Sequence, residues 1–145
     1  MTNAEAPPEW VVVDASFVLR YVLHTDVRRP HAGGLKLLQS AELIVPALWN
    51  AEVANALVQA ERRGAPAAKV GHALMAISAL SPAVDGTVVD VNRNLELARA
   101  YGLSAYDALY FELALRRKAA LATYDEAMIF AAPAAGIRLY PPHAN

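Results

Sequence analysis

The chain has no cysteine among its 145 residues. Disulfides and thiolate metal sites are therefore excluded, and a reducing compartment, the cytoplasm, is the expected location. No apolar run approaches the roughly 20 residues that cross a bilayer, so no membrane partner is expected. The segment 1–9 is polar and acidic, with neither a basic start nor an apolar stretch, and does not read as a signal peptide. Charge of one sign is missing too: 13 Lys and Arg stand against 14 Asp and Glu, for a formal net charge of −1. Without an overall basic field, a nucleic-acid partner has to be met by a local patch or through metal ions. Repeats, low-complexity segments and domain-dividing linkers are not visible.

What the chain does have is apolar content, 56% of its residues, enough to bury a substantial core. We expect one domain over residues 1–145, with its core at about 10–140. Trp10, Val11, Val12 and Val13 form a β-branched run that reads as a buried central strand ending at Asp14. Helices are expected from Ala15 to about His24, at about 31–40 despite Gly33 and Gly34, at about 48–63 and at about 67–80. Leu43, Ile44 and Val45 form a second strand stopped by Pro46, and Thr87, Val88 and Val89 read as a third. Asp90 with Asn92 caps a helix running to Tyr101. Ser104, three residues before Asp107, then starts another. In that helix Tyr106, Leu109, Tyr110, Leu113 and Ala114 recur on one apolar face, and Arg116, Arg117 and Lys118 suit its negative end. A buried strand at 119–122, a short helix at about 126–132 and an edge strand at 137–140 complete the pattern. Strands alternating with helices indicate an α/β/α sandwich around a parallel sheet of four to five strands.

Parallel sheets bind ligands at the carboxyl ends of their strands, near a switch in strand order. That rule collects four acids: Asp14 after the first strand, Glu52 in the helix after the second, Asp107 opening a helix, and Asp125 after the strand at 119–122. Each has a plainer reading. Asp107 also reads as a capping carboxylate, and Glu52, Asn55 and Gln59 also read as a solvent-facing stripe. Taken together, clustered anions need a counter-charge, and without one their repulsion is expected to raise at least one carboxyl pKa. Hard oxygen donors with no cysteine or clustered histidine select Mg²⁺ or Mn²⁺. Such a site suits phosphodiester hydrolysis or phosphotransfer.

The segments Val13-Asp14-Ala15-Ser16, Glu52-Val53-Ala54-Asn55-Ala56-Leu57, Leu103 to Tyr110, and Leu121-Ala122-Thr123-Tyr124-Asp125 resemble a PIN domain. More closely, the chain is similar to the VapC toxins of VapBC toxin–antitoxin pairs. The resemblance covers about residues 10–140. It implies a Mg²⁺- or Mn²⁺-dependent endoribonuclease acting on RNA such as tRNA or rRNA, a homodimer, and a cognate VapB-type antitoxin that blocks the site. Its catalytic and metal-holding acids fall on Asp14, Glu52, Asp107 and Asp125, and its neighbouring hydroxyls on Ser16 and Thr123. The segment 25–31 is longer and more basic than in many such proteins, and Glu126 stands where a basic residue is common.

Around that set, Ser16 is read as orienting Asp14, and Asn55 as bonding across the site or to a neighbouring backbone. Arg28 with Arg29, and Arg62 with Arg63, are the candidates for RNA phosphate contacts. The four histidines show no ligand spacing. Phe17, Val18, Tyr21, Val22, Leu35, Leu37 and Leu38 exceed what two short helices need for packing. A groove for an antitoxin helix is expected there. A haloacid-dehalogenase-type phosphatase would want a second Asp where Ser16 stands, and a receiver domain wants an acidic pair and a late lysine that are not visible. The remaining alternative is an inactive PIN-like domain that binds protein or nucleic acid.

Overall fold

The computed structural model describes residues 10–23 and 34–142. Strands β1 (Val11–Val13), β2 (Leu43–Pro46), β3 (Ala83–Asp85) and β4 (Ala120–Ala122) form one sheet in the order β3-β2-β1-β4. Every pair is parallel, with Val12 aligned to Ile44 on one side and to Leu121 on the other. Helices α1 (Ala15–Val22), α2 (Gly34–Gln39), α3 (Leu48–Arg62), α4 (Ala67–Leu80), α5 (Val91–Tyr101), α6 (Ala105–Arg117) and α7 (Glu126–Ala131) lie between and after the strands.

Successive side chains of a strand point to opposite faces, yet Val11, Val12 and Val13 are all fully buried. Both faces of the sheet are therefore covered. α6 packs on β1 and β2 with α5 against it, while α3 packs on β2 and meets α1 and α4. The result is an α/β/α arrangement. From β1 the chain builds outward through β2 and β3, then returns to place β4 on β1's other side. The order therefore switches at β1, whose carboxyl end carries Asp14.

Local chemistry explains the helix ends. The Asp90 carboxylate accepts from the Arg93 N–H at 2.9 Å, and α5 stops at Gly102, whose φ of 65° suits a residue without a side chain. The Ser104 hydroxyl accepts from the Asp107 N–H at 3.0 Å and starts α6.

Three expectations need correction. The third strand is Ala83–Asp85 rather than Thr87 to Val89, and Val88 is 91% exposed. The β-branched residues there were a poor guide because β3 is an edge strand, whose place is set by partners. Asp85 is buried and accepts from the two terminal guanidinium nitrogens of Arg116 at 3.0 and 3.1 Å and from Arg117 at 2.8 Å. Arg116 also donates to Glu112 at 2.8 Å. These arginines thus tie the end of α6 to the sheet edge. Second, the segment at 137–140 is no full strand. Leu139 makes one parallel bridge to Leu121, with backbone bonds at Arg138 and Tyr140.

Third, four of the seven side chains expected to line an antitoxin groove are core, while Val22 is half-buried. Phe17, Val18, Tyr21 and Leu38 are buried, and the Tyr21 and Tyr124 hydroxyls share a 2.7 Å hydrogen bond. Phe17 stacks on Tyr124 with ring centroids 4.6 Å apart. Gly34 belongs to the same packing: a Cβ there would overlap the Tyr21 hydroxyl, so glycine lets α2 approach. Part of the expected helix at 31–40 lies outside the described residues, as do the side chains of Leu35 and Leu37.

Candidate functional site

Asp14 sits between the end of β1 and the start of α1, and its N–H donates to the Ala122 carbonyl of β4. Its carboxylate is 4% exposed and makes no cap to its own helix. Instead Oδ2 accepts from the Ser16 hydroxyl at 2.5 Å and from the Thr123 hydroxyl at 2.9 Å. Thr123 accepts in turn from the Asp125 N–H at 2.9 Å, and Ser16 from the Tyr124 N–H at 3.3 Å. Two small hydroxyls therefore lock Asp14 to the segment that carries Asp125. The Asp125 carboxylate caps α7 through Oδ1, which accepts from the Met128 N–H.

Glu52 comes in from the first turns of α3, where Oε1 accepts from the Tyr110 hydroxyl at 2.5 Å. Asp107 stands in the first turn of α6. Asp14, Glu52, Asp107 and Asp125 all line one open pocket of about 770 Å³, together with Ser16, Tyr124 and Glu126. Arg20 is the basic side chain on its wall, with its guanidinium 4.8 Å from the centre of the Tyr124 ring. Among the described residues none of the four acids is ion-paired.

The carboxyls feel their setting. Burial pushes Asp14 up to about 6, with repulsion from Glu52 and Asp125 adding and the Ser16 and Thr123 hydrogen bonds opposing. Asp107 also rises to about 6, first through burial, then through the charges of Asp125 and Asp14, against the Ser104 hydroxyl. Desolvation leads in both cases, and the charges of neighbouring acids push the same way. Yet among the described residues no three acidic or imidazole side chains already stand in a group that would hold an ion.

The PIN domain family pattern matches residues 11–134, nearly the whole described fold. The chain belongs to the PIN domain family. PIN domains are in general metal-dependent nucleases. Among solved structures, this PIN domain is similar to PAE2754 from Pyrobaculum aerophilum, at 26% identity and a TM-score of 0.62, over 83% of this chain and 78% of that one. No curated protein matches it.

Among the described residues, Asn55, Arg62, Arg63 and His72 do not line the pocket. Asn55 is exposed on α3, with no side-chain hydrogen bond among the described residues. Arg28 and Arg29 lie outside the described residues, and Arg62 and Arg63 are exposed at the far end of α3. Of the histidines only His72 is described, and it is exposed. Sequence reasoning missed the role of Tyr110 in this PIN domain by counting it with the apolar face of α6. Its spacing held the signal: Tyr110 follows Asp107 by three residues, one helical turn, and so shares its side of the helix.

Proposed function

We propose that this PIN domain is a Mg²⁺- or Mn²⁺-dependent endoribonuclease, and that it is the toxin of a VapBC-type pair. The observation that carries the reading is the convergence of Asp14, Glu52, Asp107 and Asp125 on one open pocket without a paired cation among the described residues. The donor set is all oxygen and anionic, which fits a hard divalent ion. Asp14, Glu52, Asp107 and Asp125 would hold it; when bound, such an ion supplies an activated water and shields the phosphate from the carboxylates.

The chain's own part is positioning. Ser16 and Thr123 hold Asp14 by one oxygen, and its Oδ1 has no hydrogen bond among the described residues. Arg20, on the pocket wall, supplies a cation for an RNA phosphate. The resemblance to VapC toxins supports a cytoplasmic homodimer, a tRNA or rRNA substrate and a VapB-type antitoxin that blocks the pocket. Phe17, Val18, Tyr21 and Leu38 are buried and are not available to that partner.

A binding module without catalysis is the second reading, favoured by the spacing of the acids, which are not yet gathered around one ion. Purified protein free of antitoxin should cut RNA with Mg²⁺ or Mn²⁺, and Asp14→Asn or Asp107→Asn should abolish cutting with the fold retained. Equal cleavage in excess EDTA overturns the metal mechanism. Absent Mn²⁺ binding favours the binding module.

A further inference from the structure

We propose that Tyr110 is a positioning residue of the acidic pocket, one that fixes Glu52 for cation binding. The inference rests on the metal-site reading above and names a residue that reading does not use. Tyr110 is fully buried in α6, one turn after Asp107. Its hydroxyl donates to Glu52 Oε1 at 2.5 Å. One hydrogen bond therefore joins the carboxylate of Glu52 on α3 to the helix that carries Asp107.

Glu52 has three side-chain torsions and is only partly buried, so without a partner its carboxylate would sample many positions. The Tyr110 hydroxyl removes that freedom at Oε1 and leaves Oε2 without a hydrogen bond among the described residues. A phenylalanine would fill the same space and make no such bond. Groups that hold a metal's ligands in this way are worth roughly 10–100-fold in affinity.

The test is Mn²⁺ binding, by titration calorimetry, to wild type, Tyr110→Phe, Glu52→Gln and the double variant, each checked for folding by circular dichroism. We expect Tyr110→Phe to bind Mn²⁺ at least tenfold more weakly than wild type. In the Glu52→Gln background the same change should cost nothing further, because the hydroxyl acts through that carboxylate. A general packing defect would weaken both backgrounds alike. Tyr110→Phe binding within twofold of wild type overturns the proposal, as does an equal loss in both backgrounds. Wild type that binds no Mn²⁺ removes the metal-site reading itself, a separate failure. Should Tyr110→Phe not fold, 3-fluorotyrosine installed at Tyr110 alone gives a fluorine resonance. Mg²⁺ should shift it in the native background and leave it unmoved with Glu52→Gln; no shift in either overturns the proposal.

Discussion

At the scale of the residue, Asp14 combines deep burial with a carboxyl that stays protonated to about pH 6, against an ordinary value of 3.8. Below 3.8 the folded and unfolded chains both hold that proton, so the group's full contribution to stability is present. Between 3.8 and about 6 the unfolded chain releases it first. Metal-free stability should therefore fall as pH rises through this window, by on the order of 3 kcal/mol for Asp14, and level off above it. Asp14→Asn removes the titration while keeping an oxygen for Ser16 and Thr123 to bond. In EDTA at pH 8 the variant should melt above wild type, and at pH 4 the difference should shrink. A variant that melts lower at pH 8 shows that the carboxylate is stabilising and the burial argument wrong.

At the scale of the element, β3 is held by its ion pairs. Arg116 first, with Arg117, holds the Asp85 carboxyl well below the usual range. The sign is opposite to Asp14: this contribution is present above about pH 3.8 and is lost as pH falls toward the folded value. Asp85→Asn should cost about 2 kcal/mol, the low end for charged hydrogen bonds because the arginines are a third or more exposed. Urea denaturation measures the loss, and faster amide exchange at Val84 and Asp85 would place it at the sheet edge. The same pairing explains what was legible in the sequence. β1, β2 and β4 could be read because a strand buried on both faces must be apolar throughout. Helix starts at Asp90 and Ser104 could be read because capping is local. β3 could not, because its partner Arg116 is 31 residues away. In the pocket, the four acids followed from strand ends and the family's spacing, whereas the Tyr110–Glu52 bond joins residues 58 apart.

At the scale of the whole molecule, a cation that binds only the folded pocket stabilises the entire domain. Mg²⁺ at about ten times its dissociation constant should add roughly 1.4 kcal/mol, on the order of 3–6 °C in Tm for a chain of this size. The check is a melt with Mg²⁺ against EDTA at pH 8, and Asp14→Asn should lose most of the response. An unchanged wild-type Tm at saturating Mg²⁺ speaks against a cation site. The sheet order has one more consequence, in time rather than in space. β1 leaves the ribosome before every other strand of the sheet, but its second neighbour β4 leaves after all of them. Until Thr123 and Asp125 are made, Asp14 lacks half of its bracing and the pocket lacks its last acid. The unfinished chain carries Asp14, Glu52 and Asp107 with no complete site. On the proposed activity, the messenger and the ribosome that make this protein are spared until β4 and the acid that follows it have been made.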